Sequence, residues 1–186
     1  MPNEKNNEEE RLIDGCKNGD LSSQKRLFEK YYGLMLSICL RYTHDREEAK
    51  DILQEGFLKV FKQIETYRYK VSFFFWMKKI MVNAAIDKYR GRMNQPSKVE
   101  LSEHHANRDL DQELMADLNT EDLLKLIQKL PPNCRLVFNL FVMEEYSHKE
   151  IAKELNIKEV TSRSQLDYAR KLLRDKIQKL EEKENQ

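Results

Sequence analysis

The chain of 186 residues carries 33 Lys and Arg against 32 Asp and Glu, a net charge of +1 at pH 7, with 40% hydrophobic and 35% charged residues. That composition, with only 5 Gly and 4 Pro, fits helix-rich globular modules, enough for one large or two small domains. It excludes a membrane span, because no run approaches the roughly 18–20 apolar residues one requires. The polar, acidic start Met1-Pro2-Asn3-Glu4 has no signal-peptide character, so a cytoplasmic location is expected.

Residues 1–10 read as an unstructured acidic lead, and from Glu10 to about Arg90 the pattern is helical. Leu27, Tyr31, Leu34, Ile38 and Tyr42 recur at three-to-four spacing. Thr43-His44-Asp45 breaks that run, and Asp45 with Glu48 has the spacing of a capping box, which starts a new helix. Ala49, Ile52, Leu53, Phe57, Val60, Phe61 and Ile64 form its buried stripe, leaving Asp51, Gln54, Glu55 and Lys59 on the polar side. A third helix is expected from about Ser72 to Arg90. Between Gly91 and about Asn119 apolar periodicity fades into Glu, Asp, His and Asn, the signature of a flexible acidic linker. Leu123, Leu124, Ile127 and Leu130 then share a helix, Pro131-Pro132 stops it, and Leu136, Val137, Leu140 and Phe141 lie on the next. Cys16, Cys39 and Cys134 are widely spaced among apolar positions and read as reduced packing residues.

The end of the chain is the most informative part. Ser147 and Glu150 have capping-box spacing, Ile151, Ala152 and Leu155 share one face, and Asn156 tolerates the left-handed backbone of a turn. Ile157 re-enters the core and a polar, basic helix follows, the layout of a helix-turn-helix whose second helix can enter a DNA major groove. The predicted fold is therefore all-α: two helical domains, 10–91 and 120–181, joined by a linker over 92–119, the second domain a helix-turn-helix. Because sequence-independent DNA affinity comes mostly from cations neutralising phosphates, a chain of net charge +1 should bind DNA weakly when alone.

Two separated segments resemble one family. Asp45-Arg46-Glu47-Glu48-Ala49-Lys50-Asp51-Ile52-Leu53-Gln54-Glu55-Gly56-Phe57 is similar to the D-x-E-D-A-x-D-[LI]-x-Q-E-x-F signature of bacterial RNA polymerase sigma factors, the extracytoplasmic-function (ECF) group above all. Ser72-Phe73-Phe74-Phe75-Trp76-Met77 with Ile80, Asn83, Asp87 and Arg90 looks like a second motif of that group. Leu130-Pro131, Arg135, Tyr146 to Ala152, and Ser162-Arg163-Ser164-Gln165-Leu166 with Ala169-Arg170 resemble its C-terminal domain. The resemblance implies a transcription initiation factor that binds core RNA polymerase and directs it to promoters, assisting strand opening. It also implies promoter DNA, double-stranded and opened, and an anti-sigma factor as partners.

On that resemblance, Asp51, Gln54 and Glu55, an acceptor-rich patch within about one turn, meet the polymerase clamp helices. Asn83, Asp87 and Arg90 line up at i, i+4, i+7, so Asn83 and Arg90 suit the −10 element, while Asp87 is read as structural. Tyr67, Arg68 and Lys70 interleave aromatics with cations before Phe73, as expected where unpaired bases stack. Trp76 and Ile80 read as core. For the −35 element, Arg163, Ser164 and Gln165 lie where side chains reach base edges, and Tyr168, Arg170, Lys171 and Arg174 continue toward the phosphates. The alternative is a stand-alone helix-turn-helix regulator, which would bind an operator tightly without polymerase. Adjacent His104 and His105 make a poor metal site, and no catalytic triad order, P-loop or zinc spacing appears. No cofactor, small-molecule substrate or enzymatic activity is expected.

Overall fold

The computed structural model describes residues 3–93 and 120–184. Among them lie eight α-helices and no strand: α1 (Asn3–Lys17), α2 (Leu21–Tyr42), α3 (Arg46–Gln63), α4 (Phe73–Met93), α5 (Thr120–Gln128), α6 (Pro132–Phe138), α7 (His148–Leu155) and α8 (Glu159–Glu184). A 3₁₀ turn, Ile64–Thr66, follows α3, and a π-helical turn, Asn139–Met143, follows α6. The linker expected over 92–119 falls, from Asn94 on, outside the described residues. Two compact units emerge: α1, α2 as far as Cys39, and Arg46–Lys88 form the first, while Leu40–Asp45 and the chain from Tyr89 onward form the second.

In the first unit the expected acidic lead is helical from Asn3, a departure from the sequence reading. Its acids find cations on α2: Glu8 accepts from Arg26 at 2.8 Å, Glu9 from Lys30 at 3.0 Å, and Glu9 also accepts from the Tyr31 hydroxyl. Charge runs look solvated in one dimension because the partners lie about twenty positions along the chain. The α1–α2 turn is a Schellman end, with Asp20 N–H donating to Gly15 O at 3.0 Å and Gly19 at φ +77°. Asp20 then caps α2, accepting from the N–H of Ser23 at 2.9 Å and from its hydroxyl at 2.6 Å, and those bonds hold its carboxyl below the usual range.

The core of this unit is built from Ile13, Leu27, Met35, Ile38, Ile52, Leu53, Val60, Phe73, Met77 and Met81. Leu34, expected in the α2 stripe, is instead exposed, because the buried arc of α2 runs through Met35, Leu36 and Cys39 and leaves Leu34 at its edge. All three cysteines are buried thiols, and burial pushes Cys16 and Cys134 up to about 11.

In the second unit α6 and α7 pack on α8 around Val137, Phe138, Leu140, Ile151, Leu166, Ala169, Leu173 and Ile177. The proline pair, expected to stop a helix, follows the end of α5 and also starts the next helix: Pro131 takes the N-cap and Pro132 the first turn of α6, where a missing N–H is no loss. Glu144 N–H donates to Asn139 O at 3.1 Å and Tyr146 N–H to Leu140 O at 2.9 Å, the widened turn that carries the chain off α6.

Candidate functional site

Because Ala49, Ile52, Leu53, Phe57 and Val60 are buried, the opposite face of α3 is given to Asp51, Gln54 and Glu55, all exposed. Leu58, one turn further, is 72% exposed and adds an apolar edge to the patch. Asp51 accepts from Lys88 of α4 at 2.9 Å, and Asp87 of α4 accepts from Lys59 of α3 at 2.7 Å. Each part-exposed pair contributes only about 0–1 kcal/mol. Their opposite polarity gives each helix one cation and one carboxylate across the crossing.

Between the 3₁₀ turn and α4 the chain crosses residues 67–72. Tyr67 is only 5% exposed, packed on Phe73 at 5.0 Å and Trp76 at 5.4 Å, its hydroxyl donating to Val71 O at 2.7 Å. Arg68 donates to Glu65 O, and the guanidinium remains exposed like Lys70 beside it. Phe75 is 60% exposed at the first turn of α4, and Asn83 and Asp87 are exposed further along that helix. Arg90, which clusters with the second unit, donates to the Glu154 carboxylate at 2.9 Å.

The α7–α8 pair is a complete helix-turn-helix. Ser147 and Glu150 form both halves of the capping box, which also holds the Glu150 carboxyl low. Asn156 sits at φ 52°, ψ 47°, and Ile157 N–H donates to Ala152 O at 3.0 Å, a Schellman turn that launches α8. His148 stacks on Phe141, centroids 4.6 Å apart, and its Nδ1 lies 2.9 Å from the hydroxyl of buried Ser162 on α8. Arg163 is exposed in the first turns of α8 and donates to Glu159 at 2.5 Å. Arg170 and Arg174 continue its stripe at i+7 and i+11, the first with its guanidinium 5.7 Å from the Phe141 ring, while Lys171 is exposed on the outer face.

Comparison with known proteins matches residues 27–95 to the sigma-70 region 2 family and residues 120–173 to the sigma-70 region 4 family. The chain is 26% identical over 184 residues to the RNA polymerase sigma-H factor of Pseudomonas aeruginosa, covering 93% of this chain and 95% of that one. It is 25% identical over 180 residues to the ECF RNA polymerase sigma-E factor of Haemophilus influenzae, covering 91% and 95%. The chain belongs to the ECF sigma factors. As such it is a transcription initiation factor that directs RNA polymerase. Among solved structures it is similar to the sigma factor RpoE of Bartonella quintana in complex with the anti-sigma factor NepR, at 16% identity and a TM-score of 0.48 over 83% of this chain and 96% of that one.

Two residues assigned to DNA from the sequence of this sigma factor turn inward. Gln165 is 4% exposed, its Oε1 without a hydrogen-bond partner among the described residues, because positions 162, 165, 166, 169 and 173 make one face of α8 and that face is the packed one. Tyr67 is the other: its ring closes the aromatic cluster with Phe73 and Trp76 rather than facing solvent. Ser164 and Tyr168 are half-buried, and the Ser164 hydroxyl donates to Thr161 O at 3.1 Å. The sequence reading missed Leu58, which a check of the polar face for stray apolar residues would have found.

The sigma factor also carries a pH-dependent contact in its helix-turn-helix. Burial first, then the charge of Arg163, hold His148 below its usual value, with Glu159 opposing. The neutral ring is favoured in the fold, whereas the unfolded chain takes up the proton below about pH 6.5. This contribution to stability is therefore complete above that pH and lost as pH falls through the folded value. Thermal unfolding from about pH 7.5 to about pH 5.5 will cost the parent slightly more than a His148→Gln variant, the difference small because the ring is part-exposed.

Proposed function

We propose that this sigma factor divides promoter recognition between its units and assists strand opening. The first unit binds core polymerase through Asp51, Gln54 and Glu55, with Leu58 at the edge, and engages the −10 element through Arg68, Lys70 and Asn83; Arg90, later on α4, is a further proposed −10 contact. The second binds the −35 element, Arg163 reading base edges while Arg170, Lys171 and Arg174 hold phosphates. The observation that carries the reading is the capped α7–α8 turn with Arg163 exposed at the entry of α8. Net charge +1 and the Arg163–Glu159 pair support weak DNA binding by the isolated chain, with core polymerase supplying the remaining affinity. The work is cytoplasmic, where polymerase is, and an anti-sigma protein that masks one of these surfaces is the inhibitor expected of the family.

Run-off transcription with purified core polymerase on a promoter library, with and without the chain, tests the reading: a distinct set of transcripts will depend on it. Replacing Asp51 and Gln54 by Ala will weaken core association severalfold in a pull-down titration while helicity by circular dichroism is unchanged. Equal affinity would remove α3 from the polymerase interface. Nanomolar sequence-specific binding by the isolated chain at physiological salt would favour a stand-alone regulator.

A further inference from the structure

The segment before α4 is held by α1 in a way that neither the family match nor the sequence motifs account for. Tyr69 has φ +58°, a left-handed backbone unfavourable for a non-glycine residue, which persists only where surroundings impose it. Two residues of α1 impose it. The Tyr69 hydroxyl donates to Asp14 Oδ1 at 2.7 Å, and Lys17 Nζ lies 4.3 Å from the centre of the Tyr69 ring while pairing with Asp14 at 3.6 Å. From below, the ring of Tyr67 meets that of Tyr69 at 4.8 Å. Asp14, Lys17 and Tyr67 thus grip Tyr69 from three sides, yet the ring stays 44% exposed. On either side of this pinned residue stand the exposed cations Arg68 and Lys70, then exposed Val71 and Phe75. Cations spaced among open ring and apolar faces are what a single strand requires, phosphates on the former and an unpaired base on the latter.

We propose that Asp14 and Lys17 are positioning residues for the opened promoter strand: by pinning Tyr69 they preset residues 68–75 in the one arrangement that accepts an unpaired base, and so set which base is preferred. The inference rests on the reading of this segment as part of the −10 surface. A loop ordered beforehand loses less conformational entropy on capture, so the clamp acts on affinity and selectivity for the single strand without touching DNA itself.

The test uses holoenzyme assembled with the parent, Tyr69→Phe, Asp14→Ala and Lys17→Met chains, on promoters carrying a mismatched bubble whose downstream element is randomised. Tyr69→Phe keeps the ring and Lys17→Met keeps the stem, so both leave packing in place. Each variant is expected to bind the bubble about three- to tenfold more weakly and to lose base preference at one position, with core association unchanged. The Tyr69→Phe, Asp14→Ala double variant should be no worse than Asp14→Ala alone, since that change already removes the acceptor of the Tyr69 hydroxyl. Variants that select the same bases as the parent overturn the inference alone. A parent without base preference on the bubble overturns the −10 reading as well. Weakening that is uniform across bases and accompanied by loss of core association would make the clamp merely structural and also overturn the proposal.

Discussion

Replacing Arg163 by alanine will cost about 1–3 kcal/mol of affinity for the cognate upstream element if its contact is bidentate to guanine, roughly fivefold to 150-fold, and flatten preference at one base position. Arg163 is the first exposed cation within α8, near the end of a recognition helix that reaches base edges. Its pairing with Glu159 at 2.5 Å means that DNA must displace a carboxylate, which places the net effect toward the lower part of that range. Lys171→Ala, by contrast, will weaken all sequences alike and reduce the salt slope by about one, because phosphate contacts carry no sequence information. Gln165→Leu supplies the internal control. Among the described residues its Oε1 is buried without a partner, and an unsatisfied buried acceptor costs about 1–3 kcal/mol, so the leucine variant should melt at or above the parent's temperature and select the same upstream motif. Selection from randomised upstream elements with holoenzyme decides both. An unchanged motif for Arg163→Ala, or a changed one for Gln165→Leu, would rotate α8 relative to the groove.

The contrast between Arg163 and Gln165 marks how far the sequence could be read. Local signals with a short-range cause were legible: the Ser147–Glu150 box and the left-handed Asn156 depend on residues three or four apart, and both are present as expected. The stripe of α3 was legible for the same reason, its period being set by the helix itself. Gln165 was misread because residue type outweighed position. It stands four residues before Ala169 and eight before Leu173, on a buried row that the apolar neighbours define. Tyr67 turns inward as well, an amphipathic ring whose hydroxyl finds a backbone carbonyl and whose body is free to enter the core. What could not be read at all was the pairing of Asp14 and Lys17 with Tyr69, more than fifty positions away, or of the α1 acids with α2. Such contacts arise from how helices are stacked, and no periodicity encodes the partner. The π-helical turn after Phe138 belongs to the same class, since the pattern Leu136, Val137, Leu140 is equally that of an uninterrupted helix.

Gly56→Leu will destabilise the first unit by about 3 kcal/mol or more, beyond the usual cost of overpacking a core. Gly56 lies on the buried face of α3, and a Cβ placed there would stand 2.1 Å from Sδ and 3.0 Å from Cε of Met81 on α4. Met81 is itself only 1% exposed, so its thioether can move only within a closed core. Even Gly56→Ala is therefore informative. In an open helix the change would gain roughly 0.8–1 kcal/mol; here it must displace the thioether or part the two helices, and a net loss is expected. Leucine must part them, which also pulls Asp51 from Lys88 and Lys59 from Asp87, the two cross-helix pairs that span the same crossing. Because the proposed polymerase patch rides on α3 beside these pairs, the leucine variant should lose core association as well as stability, without any change in the patch residues themselves. Denaturant unfolding measured alongside a pull-down titration checks both. An alanine variant at least as stable as the parent would show that α3 and α4 do not cross at glycine-to-thioether contact.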